Sequence, residues 1–182
     1  MSTDRYVIRE ANIQDAEGIA AVHVKSWQTS YAGIMDSKFL ENISYEQRLR
    51  LRREMLQSPH FFQLMVLYKD QIVGFAVTGL MQAELKNRPA KPKKQSDQVG
   101  EIYGIYLLQE HQGQGIGREL FTKCRQWFHE QHIATFVLWV LKDNTSARNF
   151  YAKHDGQIVD EKISAIGDEE FLEYCYQFVI SD

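Results

Sequence analysis

The order of apolar and polar positions predicts two helices early in the chain. After Asn12, which suits a helix N-cap, apolar residues recur at three- and four-residue spacing up to Trp27. A second helix is predicted over about 45–57, where Ser44 and Gln47 have the spacing of a capping box. Its arginines are interpreted as a mostly solvated face, because surface helices expose their charges. They are Arg48, Arg50, Arg52 and Arg53.

Other stretches alternate or run apolar in the manner of strands. The predicted strands are 5–9, 61–68, 71–80, 101–108, 134–141, 157–165 and 170–179. Lys69-Asp70 is expected to close a hairpin, and Gly167-Asp168 to link the last two strands. The run 134–141 is nearly all apolar, which is typical of a strand covered on both faces.

Two later helices complete the pattern. One follows the glycines of residues 113–117 and extends to about residue 130, and a shorter one begins at Asn144. Gly156 is expected to be the C-terminal cap of the shorter helix. This order of elements favours an α/β layer fold, with helices on both faces of a mixed sheet, built as a single domain over residues 1–182.

The stretch 82–98 is the least core-like part of the sequence and is predicted to be a mobile loop between strands. It holds two prolines and five basic residues: Pro89, Pro92, Lys86, Arg88, Lys91, Lys93 and Lys94. Two interpretations stay open. The basic side chains either attract phosphates electrostatically or only keep the loop solvated.

Composition and charge exclude several classes of protein. A chain that is 44% hydrophobic with a net charge of −3 is typical of globular domains and gives no indication of nucleic-acid binding. The sequence has no apolar run of membrane-spanning length and no signal-peptide core at its start, so a cytoplasmic location without a membrane partner is expected. Cys124 and Cys175 lie in apolar stretches and are expected to be buried thiols. The histidines show no metal-ligand spacing.

The glycines between a predicted strand and a predicted helix indicate an anion site. Such a turn exposes backbone N–H groups at the positive end of the helix dipole, and glycines let a phosphate approach the main chain closely. A dinucleotide loop needs a small residue where Arg118 stands, and no P-loop Gly-Lys-Ser/Thr is present. The segment Gln112-Gly-Gln-Gly-Ile-Gly117 instead resembles motif A of the GCN5-related N-acetyltransferases. A second segment, 144–156, resembles that family's N-x-x-A-x-x-x-Y pattern followed by a glycine.

The resemblance covers essentially the whole chain and implies acetyl-CoA as cosubstrate, with no metal. It implies a mostly antiparallel mixed sheet that splays at the cofactor site. Main-chain groups near Leu107 and Leu108 would pair with the pantetheine arm like an added strand. The turn would hold the pyrophosphate, and Asn144 would contact the cofactor, cap a helix, or do both. The turn residues are Gln112, Gly113, Gln114, Gly115, Ile116, Gly117 and Arg118.

The resemblance also implies catalytic roles for two residues. Tyr151 would be the general acid, because a phenol can give a proton to a developing thiolate. Glu101 lies eleven residues before Gln112, the spacing of a catalytic glutamate in histone-acetylating members, and would be the base unless it is a solvated strand-end carboxylate.

The acceptor would be a primary amine of a small molecule or a peptide, and a homodimer stays an option. Its pocket would involve residues 23–60 and the loop 82–98. His23, Trp27, Tyr31 and Tyr45 would line that pocket or only fill the core. Two other functions stay open: a catalytically silent acyl-CoA-binding sensor with this fold, and a nucleotide-dependent oxidoreductase, which Arg118 disfavours.

Overall fold

The structure is a computed structural model that describes residues 5–81 and 98–180. The predicted mobile loop over 82–98 therefore lies outside the described residues, except for its last position. The strands are β1 (Val7–Glu10), β2 (Phe61–Tyr68), β3 (Gln71–Leu80), β4 (Val99–Leu107), β5 (Thr135–Leu141), β6 (Gln157–Ile166) and β7 (Glu169–Val179). The helices are α1 (Ala16–Ser30), α2 (Ser37–Glu41), α3 (Tyr45–Gln57), α4 (Ile116–Glu130) and α5 (Thr145–Ala152). Short 3-10 turns occupy Ile13–Asp15 and Gln109–His111.

The strands form one mixed sheet in the order β1-β2-β3-β4-β5-β7-β6. β1 with β2, β5 with β7, and β6 with β7 pair antiparallel, whereas β4 with β5 pair parallel. The α/β class with a mostly antiparallel mixed sheet is thereby confirmed. Sequence periodicity did not predict α2, because only five residues form it and its N-cap, Asp36, is its main local signal.

The chain divides into two compact units, each built from two stretches of sequence. The first contains the residues up to Thr78 and Gly104–Cys124, and the second contains Gly79–Tyr103 and the residues from Arg125 onward. In the first unit α1 packs against α3. Ile19 and Ala20 of α1 are fully buried, as are Met65 and Val66 of β2.

The core of the second unit contains an aromatic stack. Phe136 lies between Phe128 and Phe178, with ring centroids 4.8 Å away on each side. Gly100 leaves the room for Phe128, because a Cβ there would lie 2.3 Å from its ring. Gly156 leaves similar room for Phe178.

The end of α5 differs from the prediction. The residue with left-handed backbone is Asp155, with φ of 66°, and not Gly156. The Gly156 N–H donates to the Tyr151 carbonyl at 3.0 Å. Gly156 is needed for space, since an added Cβ would lie 2.7 Å from Phe178 and 2.8 Å from that carbonyl.

The prediction of a solvated arginine face on α3 is wrong for two of its four members. Arg52 is only 5% exposed, and Arg48 is half-buried. Arg50 and Arg53 are exposed as expected. The spacing places Arg48 and Arg52 one helical turn apart, on the same face of α3.

Candidate cofactor and active site

The glycine turn of the first unit is open and strongly curved. Gly113 and Gly115 have φ of 73° and 83°, values that side-chain-bearing residues rarely adopt. A Cβ built on either glycine would meet nothing within 4 Å. Residues 112–115 are exposed, so a ligand can reach the main chain of the turn.

The backbone donors of this turn are largely available. The Gln112 N–H is used, since it donates to the Gln109 carbonyl at 3.1 Å. Within the described residues, and apart from bonds internal to α4, the N–H groups of residues 113–118 donate to no protein acceptor. The first four N–H groups of a helix have no partner inside it. The run of available N–H groups therefore starts at Gly113, one residue later than the sequence motif.

Side-chain hydrogen bonds anchor the turn to the residues that precede it. The Gln112 side-chain amide donates to the Leu107 carbonyl at 3.1 Å, and that of Gln114 donates to the Glu110 carbonyl at 3.2 Å. The Tyr6 hydroxyl hydrogen-bonds the Gln114 Oε1 at 3.0 Å and the His111 Nδ1 at 2.9 Å. Tyr6 had no signal in the sequence, because its partners lie more than a hundred residues away.

A cavity of about 590 Å³ opens beside the turn. Its lining includes the turn residues Gln114 and Gly115, the basic side chains of Arg5 and Arg118, and Thr122. A concave surface with two arginines, beside N–H groups that have no acceptor in the part of the chain that the structure describes, suits a phosphate-bearing ligand. Arg118 belongs to the set predicted from the sequence, whereas Arg5 and Thr122 do not.

Leu107 and Leu108 differ in whether their main-chain groups are already hydrogen-bonded within the protein. The Leu108 N–H donates to the Val73 carbonyl and its own carbonyl accepts from the His111 N–H, both at 2.9 Å. Successive residues of a strand direct their N–H groups to opposite edges, so the Leu107 N–H points away from β3. The parallel ladder of β4 with β5 runs from Val99–Thr135 to Glu101–Val137, and β4 continues to Leu107.

Glu101 lies in the second unit and is half-buried. Burial, with a smaller contribution from Glu173, raises its pKa to about 7, while Lys162 opposes the shift. Lys162 stands 3.5 Å from the Glu173 carboxylate and 4.1 Å from the Trp139 ring centroid. A carboxyl group with a pKa near neutrality can take and return a proton under physiological conditions.

Asn144 and Tyr151 stand at opposite ends of α5. The Asn144 Oδ1 accepts from the Ala147 N–H at 3.1 Å, so the side chain is an N-cap, and its amide nitrogen donates to no acceptor among the described residues. Tyr151 is 9% exposed and lies against Tyr176 and Phe178, at centroid distances of 6.1 and 6.3 Å.

Both cysteines are buried free thiols, as predicted, and burial raises the pKa of each to about 12. Among residues 5–81 and 98–180, no three His, Cys, Asp or Glu side chains come together as a metal site would require. The helices in those same ranges are all too short or too polar to cross a bilayer.

Comparison with known proteins identifies the family. Residues 24–156 match the model of the "Acetyltransferase (GNAT) family". The chain belongs to this family. The resemblance of its two motifs is thus confirmed, and the protein is an acetyl-CoA-dependent N-acetyltransferase by family.

Individual relatives are distant. An uncharacterized N-acetyltransferase, YuaI, of Bacillus subtilis (strain 168) is 29% identical over 88% of this chain and 86% of the relative. The spermidine N(1)-acetyltransferase of Thermoplasma acidophilum is 23% identical over 84% of this chain and 89% of the relative. The crystal structure of PaiA N-acetyltransferase from Thermoplasma acidophilum with coenzyme A is 19% identical, with a TM-score of 0.68 over 97% of this chain and 99% of that one.

Proposed function

We propose that this GNAT protein transfers the acetyl group of acetyl-CoA directly to a primary amine of a small molecule or peptide. The observation that carries the proposal is the open turn at residues 113–118. Outside α4 its N–H groups have no acceptor among the described residues, and its glycines leave room for a phosphate. In this assignment the turn and Arg118 bind the pyrophosphate, and Leu107 pairs with the pantetheine arm.

The chemistry requires two proton transfers. The acceptor nitrogen attacks the thioester carbon, a C–N bond forms and the C–S bond breaks. Tyr151 gives its proton to the departing thiolate, and Glu101 takes the excess proton of the amine directly or through a water. The pKa of about 7 suits Glu101 to this role, because a group with that pKa is partly ionised at neutral pH and binds a proton well.

The test of the catalytic assignment is Tyr151→Phe, which removes one hydroxyl. We expect kcat to fall about 100-fold, within the usual contribution of a general acid, with coenzyme A affinity unchanged. Thiol release measures kcat, and calorimetry measures the affinity. Wild-type turnover in the variant would remove Tyr151 from the mechanism. A wild-type protein that binds coenzyme A but releases no thiol with any of a broad panel of amines would instead be a sensor.

A further inference from the structure

A second feature of the first unit is a pair of arginines, Arg52 buried and Arg48 half-buried, that have no counter-ion among the described residues. Arg52 of α3 is only 5% exposed, and its Nε and Nη1 have no hydrogen-bond acceptor within the described residues. Its guanidinium carbon lies 5.4 Å from the centroid of Phe75, and that of Arg48 lies 4.6 Å from Trp27. Neither side chain has an ion-pairing carboxylate in the described part of the chain.

The two arginines give this part of the first unit a net positive charge. Burial and the neighbouring Arg48 lower the pKa of Arg52 to about 10, so it remains protonated at neutral pH. Burial also lowers the pKa of Arg48. A buried charge without a partner is costly, and proteins usually retain one only where something else supplies the opposite charge.

The neighbours of the arginines are polar groups that also lack partners. His23 is 4% exposed, and within the described residues its Nδ1 and the Trp27 Nε1 have no hydrogen bond. The His23 ring stacks on Tyr106 at 5.3 Å and meets Trp27 at 5.7 Å. Burial and both arginines lower the pKa of His23 to about 2, so it is neutral and adds no charge.

The cluster is partly exposed. Trp27, Arg48 and Tyr106 are each half-buried, so its outer members contact solvent while Arg52 is buried behind them. Guanidinium groups recognise carboxylates and phosphates through several parallel hydrogen bonds, and aromatic walls strengthen such contacts by excluding water.

We propose that the cluster formed by His23, Trp27, Arg48, Arg52 and Tyr106 binds an oxyanion on the acceptor, so that the substrate is an amine that also carries a carboxylate or a phosphate. The substrate assignment rests on the proposed acetyl transfer, whereas oxyanion binding by the cluster does not. A polycationic amine is a poor match for the two guanidinium charges.

The first experiment measures oxyanion binding without any turnover. The full-length protein, loaded with coenzyme A, is titrated with acetate and with inorganic phosphate while NMR follows the Trp27 indole N–H and the arginine Nε–H signals. We expect saturable shifts in the wild type and in Arg53→Met, a matched control on the exposed face of α3 whose ion pair with Glu17 is solvated. Arg52→Met should show none.

The relative response to the two probes separates a carboxylate site from a phosphate site. Shifts that never saturate in the wild type, or equal shifts in both variants, would overturn the proposal. Arg52→Met should also fold at least as stably as the wild type without ligand, because it replaces an unpaired buried charge with an apolar side chain of similar length.

The second experiment tests the substrate class with matched amines, reading thiol release. One pair is an α-amino acid and its decarboxylated amine, another is phosphoethanolamine and ethanolamine, and spermidine represents polycations. We expect the oxyanion-bearing member to have the higher kcat/KM, and Arg52→Met to raise its KM about tenfold to hundredfold with little change in kcat. Equal kcat/KM within both pairs, or a preference for spermidine, would contradict the substrate assignment. Loss of coenzyme A binding would instead implicate the proposed function.

Discussion

At the residue scale, the pKa of an ionisable side chain depends on how deeply it is buried. Glu101 lies in an ordinary strand and Arg52 in an ordinary helix. Burial nevertheless raises the pKa of Glu101 to about 7 and lowers that of Arg52 to about 10. The position of Glu101 could be predicted from its spacing to Gln112, but its pKa could not. That pKa depends first on burial in the folded protein and then on Lys162 and Glu173, which lie on strands distant in sequence. The burial of Arg52 was not predicted, because the arginines of a helix with four of them are usually solvated.

Two predictions about the pH dependence of activity follow from the pKa of Glu101. If Glu101 is the base, kcat/KM should rise as the pH increases through about 7. Glu101→Gln should have lower activity and should lose this rise with pH. A pH profile with an acceptor amine that stays protonated over the range measures both. An unchanged limb in the variant would assign the titration to another group.

The same residue should affect stability. Its pKa is raised in the folded protein from 4.5 to about 7, so ionisation opposes folding progressively as pH rises between these values. The free energy of unfolding of Glu101→Gln, relative to that of the wild type, should therefore be higher at pH 8 than at pH 4. The difference between the two pH values should be at most about 3 kcal/mol. Denaturant unfolding at both pH values measures the difference, and a gain at pH 4 with none at pH 8 would contradict the raised pKa.

At the scale of elements, capping and turn residues predicted the structure well. Ser44 accepts from the Gln47 N–H at 3.2 Å as expected, and the β2–β3 hairpin has the predicted bounds, with Lys69 and Asp70 at positive φ. These features are local, so a single sequence contains their signal. The end of α5 was mispredicted because the need for a glycine at 156 comes from Phe178, which is distant in sequence.

Asn144 allows the cap of α5 to be separated from cofactor binding. Asn144→Ser keeps an oxygen that can accept from the Ala147 N–H but removes the amide nitrogen. We expect Asn144→Ser to retain stability and lose coenzyme A affinity, whereas Asn144→Ala should lose both, with about 1 kcal/mol of stability. Ser44→Ala is the matched control, since it removes a cap from α3 alone. If Asn144→Ser binds coenzyme A like the wild type, Asn144 is only a cap.

Gly156 tests whether the end of α5 supports Tyr151. Gly156→Ala would press a Cβ on Phe178 and on the Tyr151 carbonyl. We expect a loss of about 1–3 kcal/mol in stability and a fall in kcat through displacement of Tyr151. Thermal unfolding and thiol release measure these effects. A variant with wild-type stability would show that this contact relaxes freely.

At the scale of the whole molecule, the order of elements and the two motifs were enough to predict the family, and the fold followed from it. Strand order was not readable from periodicity, because β7 lies between β5 and β6 through pairing that no local pattern reports. The cluster of Arg52, His23 and Tyr106 was least predictable, since these residues come together from α3, α1 and β4.

The most direct test of the central claim is the affinity of the full chain for coenzyme A when Gly115 is replaced. Gly115→Val would strain a φ of 83° and place a side chain where the phosphate is expected. Gly33→Val is the matched control, with φ of 78° and equally open surroundings. By calorimetry we expect Gly115→Val to weaken binding at least about 100-fold, roughly 2.8 kcal/mol, and Gly33→Val to bind like the wild type. Equal affinity in Gly115→Val and wild type would contradict pyrophosphate binding at this turn.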